Sequence, residues 1–387
     1  MAAYTTPEPF TVNVPEAVLT DLHTRLNQVR WPAGEIPESG WEYGANLAYL
    51  KQLVEYWRTQ YDWRAHERLL NQWPHFRVTI DSQQIHFIHV RGKGPKPFPL
   101  IITHGWPGSF YEFMDILGPL TDPAAYGGDP ADAFDLIVPS LPGYGFSDPT
   151  HERQVNCIRI ADWFAALMTE VLGYARYGAQ GGDWGAMVTS RLGFAYPQHV
   201  VGIHLNMVGV APHPANRQNL SAAEQAWLKE MDAWRQEETG YQGIQGTKPQ
   251  TLAYGLNDSP VGLCAWIVEK FRTWSDCAGD PERVYTKDQL LTNVTLYWVT
   301  QTIHSSTRLY YEERHHPWRL GKDEKISVPT GVAAFPKELA RPPREWAERA
   351  YNIQRWTPMP AGGHFAAMEQ PRLLAEDIRA FFRGLRA

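Results

Sequence analysis

The 387-residue sequence predicts an α/β protein, with a mostly parallel central sheet flanked by helices, an inserted helical lid and an N-terminal helical meander. Three observations carry that prediction. Short apolar runs at 100–103, 134–138, 174–177 and 201–205 are each followed by a glycine-rich turn, and helical stretches lie between most of them, including 160–172 and 186–194. Strand, turn, helix and strand in repetition describe parallel strands joined by crossovers, which cover a sheet on both faces. The repetition then stops over 216–320, a helical stretch rich in tryptophan and tyrosine with no buried-strand run. Strands resume at 326–329 and 353–357, and a last helix spans 373–382.

Taken in order, Pro15 and Glu16 open a helix whose apolar residues Val18, Leu19, Leu22, Leu26 and Val29 fall at helical spacing, closed by Trp31 and Pro32. A second helical pattern covers 47–61. Alternation from 76 to 90 around Asp81 and Ser82 predicts a hairpin. Asn257, Asp258, Ser259 and Pro260 form a helix start inside the lid, with a side-chain cap and proline in the first turn. The expected division is 1–75 for the meander, 76–215 for the first part of the core, 216–322 for the lid and 323–387 for the rest of the core.

Composition excludes several functions. With 43% hydrophobic residues the chain buries a full core, and a net charge of -6 offers no basic face for nucleic acid. Cys157, Cys264 and Cys277 lie in separate segments with no metal-ligand spacing, and their odd number argues against a disulfide framework. No metal or cofactor is expected. The first ten residues have neither a basic region nor an apolar run, and nothing later reaches the length of a membrane span, so a soluble cytoplasmic protein is expected. The oligomeric state stays open, a homo-oligomer included.

The chemistry centres on Gly181, Gly182, Asp183, Trp184, Gly185, an elbow with aspartate where hydrolases usually carry serine. A residue on such a strand-to-helix turn projects its reactive atom clear of the backbone. Aspartate there can attack carbon and form an ester; a helix N-cap aspartate is the other reading of the pentapeptide. After the third predicted strand comes His104, Gly105, Trp106, Pro107, Gly108, Ser109. In such a sheet that loop lies beside the elbow, which makes the N–H groups of Trp106 and Trp184 candidate oxyanion donors; a plain proline turn is the alternative. Among 14 histidines, His364 follows Gly362 and Gly363 after the last strand, where a sheet of this type delivers a base. His86 and His89 face opposite sides of a strand, and His315 and His316 sit in a polar loop. Glu338 lies at the C-terminal edge of the penultimate strand, where ligands and catalytic groups gather. The order nucleophile, acid, histidine agrees with the α/β-hydrolase arrangement.

On these residues the chain resembles the epoxide hydrolases of the microsomal type. The likeness covers Phe10, Val12 and Trp31 of the meander, the loop 104–109, the elbow 181–185, Thr247, Lys248 and Pro249, the segment 257–260, and 328–336 with 362–369. It implies Asp183 as nucleophile, His364 as the base that activates water and Glu338 as its orienting acid. It also implies two lid tyrosines as donors to the epoxide oxygen, Tyr241 and Tyr310, with Tyr311 an alternative to the latter. Microsomal members carry an N-terminal membrane anchor that is not read here, so the chain is expected to be like their soluble bacterial relatives. Some of those act in antibiotic biosynthesis, opening epoxides on aromatic or vinyl side chains of enediynes. An aromatic-rich lid with Trp227, Trp234, Trp266, Trp274 and Trp298 would suit a bulky aromatic epoxide. Two rivals remain at this point: a haloalkane dehalogenase, which shares the aspartate elbow and expels halide, and a non-enzymatic binder of a small hydrophobic ligand.

Overall fold

A computed structural model describes residues 3–386. Nine strands form one sheet: β1 (Glu8–Phe10), β2 (His75–Ile80), β3 (Gln83–Val90), β4 (Phe98–Thr103), β5 (Phe134–Pro139), β6 (Tyr177–Gly181), β7 (Val200–Leu205), β8 (Ile326–Ala334) and β9 (Tyr351–Pro358), in the order β1-β2-β3-β5-β4-β6-β7-β8-β9. From β5 to β9 every neighbouring pair is parallel, while β1, β2 and β3 add an antiparallel edge. The hairpin turns at Asp81 and Ser82, both at positive φ, +47° and +66°. Two such residues match the right-handed twist of the flanking strands.

Two strands differ from expectation. The run at 174–177 is the approach to β6, whose body is the small-residue stretch Tyr177–Gly181 that had read as a turn. A Cβ on Gly181 would lie 2.2 Å from the Gly185 carbonyl oxygen, so small residues here are a condition of packing the next helix onto the strand. Likewise β8 continues past Pro329 to Ala334. The pairing with β9 shifts register around Pro329, a place where a missing N–H costs no ladder bond.

Helix Asp183–Ala195 packs on β6 and β7, and helix Pro371–Arg383 on β7 and β8. The helix predicted over 160–172 is Cys157–Ala166 continued by a wider turn, Leu167–Val171. Besides a short 3-10 turn at Pro281–Arg283, the stretch 216–322 folds into six α-helices: Ala222–Glu238, Gly240–Gln245, Pro249–Asp258, Pro260–Trp274, Lys287–Thr300 and Ile303–His315. The last of these includes His315, which had been expected in a loop. Ser259 caps Pro260–Trp274 by accepting the Gly262 N–H at 3.0 Å.

The N-terminal helices brace that layer. In Leu47–Thr59, Leu50, Leu53, Val54 and Trp57 form one buried face at helical spacing, and Asn46 caps the helix through the Tyr49 N–H. Burying Leu53 alone contributes on the order of 2 kcal/mol. Polar ties run from the same segment to the lid: Tyr56 Oη donates to Asp288 Oδ1 at 2.9 Å, and the Tyr61 hydroxyl meets Thr292 Oγ1 at 3.0 Å. The stretch 1–75 also supplies β1, so it joins the sheet edge as well as the lid.

Candidate active site

The turn from β6 into helix Asp183–Ala195 puts Asp183 in the left-handed region, φ +50°. A non-glycine residue there costs of order 1 kcal/mol and persists only where its surroundings fix it. The cap position belongs to Gly182, and the helix has no side-chain cap bond, so Asp183 is not serving as an N-cap. Its carboxylate turns away to the neighbouring loop, where Oδ1 accepts the Trp106 N–H at 2.8 Å. That approach needs glycine at 105, because a Cβ there would lie 2.1 Å from the same oxygen. The Trp184 N–H, the other expected donor, makes no hydrogen bond to this carboxylate.

On the opposite side of Asp183, Oδ2 lies 3.4 Å from His364 Nε2. His364 Nδ1 pairs with Glu338 Oε1 at 2.7 Å, and the Leu339 N–H donates to that oxygen at 2.6 Å. Both His364 and Glu338 are buried, 5% and 4% exposed. Burial by itself disfavours a charged imidazole, but Glu338 and Asp183 outweigh it and raise the His364 pKa well above its ordinary value. The other buried histidines pair elsewhere: His75 with His86, His204 with Asp377, and His104 with the Gly105 carbonyl and the Leu141 N–H.

Over Asp183 the lid lays an aromatic roof. Tyr241 stacks on Trp106 with ring centroids 5.4 Å apart, and Tyr310 stands edge-on to Trp184 at 4.7 Å and to Trp106 at 5.7 Å. Burial first, then the Asp183 charge, raises the pKa of Tyr241; burial, Tyr241 and Asp183 do so for Tyr310, so both phenols keep their protons. Tyr311 is 36% exposed and stacks on His315, outside this cluster. Of Trp227, Trp234, Trp266, Trp274 and Trp298, Trp274 alone belongs to the site, edge-on to His364 at 5.1 Å. Trp227 packs against Trp346, Trp266 donates to Gln245 Oε1, Trp298 lies under Arg25, and Trp234 is half-buried on helix Ala222–Glu238. A cleft of about 370 Å³ that includes Trp184, Tyr310, Gln242 and Gly243 reaches this roof. A cleft of about 910 Å³ lies between the first N-terminal helix and the lid; it includes Arg25 and Trp298 but none of Asp183, His364, Glu338, Tyr241 and Tyr310.

One carboxyl at the site was not foreseen. Glu112 sits on the turn Phe110–Phe113, with Oε1 so close to Gly108 that a Cβ there would fall 1.5 Å away. Burial pushes its pKa up to about 8; His364 and the Gly105 backbone oppose the rise, and Asp183 and Glu338 add to it. The sequence signal was a lone acid between Tyr111 and Phe113. Among the described residues no cluster of three or more His, Cys, Asp or Glu could hold a metal ion, and no helix is long and apolar enough to cross a membrane.

Known proteins share this architecture along nearly the whole chain. The family pattern described as epoxide hydrolase N terminus matches residues 7–113, and that of the alpha/beta hydrolase fold matches 99–262. A protein of Stigmatella aurantiaca (strain DW4/3-1) assigned to the epoxide hydrolases is 47% identical, over 98% of this chain and 85% of its own. Epoxide hydrolase 1 of Oryctolagus cuniculus is 39% identical, over 96% of this chain and 88% of its own. Among solved structures, the juvenile hormone epoxide hydrolase of the silkworm Bombyx mori superposes with a TM-score of 0.91 at 34% identity, covering 99% of this chain and 95% of that one. These likenesses favour neither the dehalogenase nor the ligand-binder reading. With a full-length match to such relatives and an α/β-hydrolase sheet, the chain belongs to the microsomal-type epoxide hydrolase family.

Proposed function

We propose that the chain converts an epoxide to a vicinal diol in two steps, through an ester on Asp183. The observation that carries this reading is the pair of neighbours on Asp183: the Trp106 N–H, which donates to one oxygen at 2.8 Å, and His364, backed by Glu338 at 2.7 Å, which faces the other at 3.4 Å. In the first step Asp183 attacks an epoxide carbon, the ring C–O bond breaks, and a lid phenol, Tyr310 or Tyr241, protonates the departing oxygen. The proton held by His364 passes to solvent as solvent restores the phenol. Esterification removes the Asp183 charge that helps keep His364 protonated, so the imidazole is freed to act as a base when a base is needed.

In the second step His364 Nε2 takes a proton from water, and the hydroxide attacks the Asp183 carboxyl carbon. The Trp106 N–H and, once the carboxyl has turned tetrahedral, the Trp184 N–H hold the oxyanion, each donor contributing about 3 kcal/mol. Collapse breaks the C–O bond to the product; the departing alkoxide takes the proton of the new carboxyl group, which leaves the diol, the Asp183 carboxylate and a protonated His364 as at the start. Substrates with an aromatic group next to the ring are the preferred class, supported by the roof of Trp106, Trp184, Trp274, Tyr241 and Tyr310; epoxides of enediyne-type biosynthesis fall within it. A cytoplasmic setting is supported by three buried cysteines, all of them unpaired.

The test is a His364→Gln variant mixed with styrene oxide. Intact mass should rise by the mass of one epoxide, and the adduct should map to Asp183, since alkylation survives while hydrolysis stalls. Absence of an adduct across a panel of aryl and alkyl epoxides overturns the mechanism. A marked preference for small aliphatic epoxides in wild-type turnover overturns the aromatic preference alone.

A further inference from the structure

The loop that carries His364 is fastened to the lid, and two carboxylates outside the Asp183, His364 and Glu338 set do the fastening. Glu369 ends the short helix Ala366–Glu369 and is 8% exposed. Its Oε1 accepts the Phe365 N–H at 3.0 Å, next to the base, and its Oε2 accepts the Asp276 N–H at 2.8 Å, in the lid turn after helix Pro260–Trp274. Asp276 answers in the other direction, with Oδ2 accepting the Gly362 N–H at 3.0 Å. Between these ties the His364 N–H donates to the Trp274 carbonyl at 3.0 Å, and Phe365 stacks flat on Phe271, with centroids 4.0 Å apart.

Two separate backbone donors converge on Glu369, and a carboxylate has two oxygens to meet them. A glutamine has one oxygen and would turn its NH₂ toward one of the N–H groups. We propose that Glu369 is a positioning residue for the second chemical step, holding His364 against Asp183 by locking the base loop 362–365 to the lid turn 274–276. The proposal rests on the two-step reading above. The contact at stake is the 3.4 Å gap from His364 Nε2 to Asp183 Oδ2, and a displacement of about 1 Å in such a geometry costs about 10²-fold in rate. Tyr241 and Tyr310 sit on other lid helices, Gly240–Gln245 and Ile303–His315, which Glu369 does not touch, so the first step is spared.

The experiment compares full-length wild type, Glu369→Gln and His364→Gln by rapid mixing with styrene oxide, acid quench and intact mass. For Glu369→Gln the ester should form within about threefold of the wild-type rate and hydrolyse at least tenfold more slowly. In steady state kcat and KM should then fall together with kcat/KM held, a split that general loss of fold does not produce. An ester in His364→Gln together with unimpaired hydrolysis in Glu369→Gln, or equal slowing of both steps in Glu369→Gln, overturns the role of Glu369 alone. No ester in His364→Gln overturns the two-step reading and this proposal with it. Should Glu369→Gln fail to fold, as judged by circular dichroism, Asp276→Ala decides: it removes the Gly362 tie, and hydrolysis that stays at the wild-type rate refutes the coupling.

Discussion

Replacing Glu338 by glutamine separates the charge behind His364 from its geometry. Glu338 Oε1 receives both the His364 Nδ1–H and the Leu339 N–H, while Oε2 is buried without a partner. A glutamine oxygen can serve the same two donors, and its NH₂ falls where no bond is lost, so the imidazole keeps its place and tautomer. What disappears is one negative charge. At about 4 Å between charge centres and an effective dielectric constant near 20, that charge stabilises an imidazolium by about 4 kcal/mol. In the proposed mechanism hydrolysis of the ester develops that imidazolium; if half of the charge is present at the transition state, the loss is about 2 kcal/mol, or about 30-fold, with a ceiling near 10³-fold. The His364 pKa should fall in the variant, because Glu338 is the leading contribution that raises it against burial. Single-turnover quench with mass detection of the ester resolves the two steps. Hydrolysis within threefold of wild type, or alkylation slowed as much as hydrolysis, would refute the reasoning.

Three further outcomes follow from neighbouring groups. Tyr310→Phe should slow ester formation by about 10- to 100-fold through loss of one hydrogen bond to a developing alkoxide, and Tyr311→Phe should stay within about twofold; comparable effects of the two would refute the assignment of the donor. Glu112→Gln should leave turnover at pH 7 within about threefold, since a carboxyl with a pKa of about 8 is mostly protonated there. Its raised pKa means that the folded wild type loses stability as pH climbs from about 4.5 to about 8, and urea titrations across that range should show the variant gaining on wild type. Burial would raise the Asp377 pKa, but bonds from His204, Arg355 and Thr357 win and hold it at about 2. That contribution is present above pH 4 and lost as pH falls toward 2, so Asp377→Asn should cost about 2 kcal/mol at pH 7 and progressively less in acid; a pH-independent difference would rule the charge out as its source.

The strands were legible where apolar residues cluster, and misplaced where packing asked for something else. The run 174–177 looked like a strand because it holds two tyrosines, yet the sheet chose Tyr177–Gly181, whose glycines let a helix approach. Pro329 looked like an end because it breaks a regular ladder, yet an irregular register lets β8 pass through it. Of the lid tryptophans, composition could not separate Trp274, which meets His364, from Trp227, which only packs on Trp346. Glu112 escaped notice because its relation to Asp183 depends on the way the loop 105–108 folds over it.

By itself the sequence determined the α/β class, the elbow at Asp183, and His364 and Glu338 as partners, because each depends on local turn chemistry and on chain order in a parallel sheet. Tertiary structure alone decided that Asp183 turns to the Trp106 N–H instead of capping its helix, that Tyr310 and not Tyr311 packs against Trp184, and that Glu369 joins the His364 loop to the lid. The physical reason is common to all three. Each is a contact between segments far apart in the chain, set by which face of a helix or which oxygen of a carboxylate the packing turns inward, and no local pattern of residues records that choice.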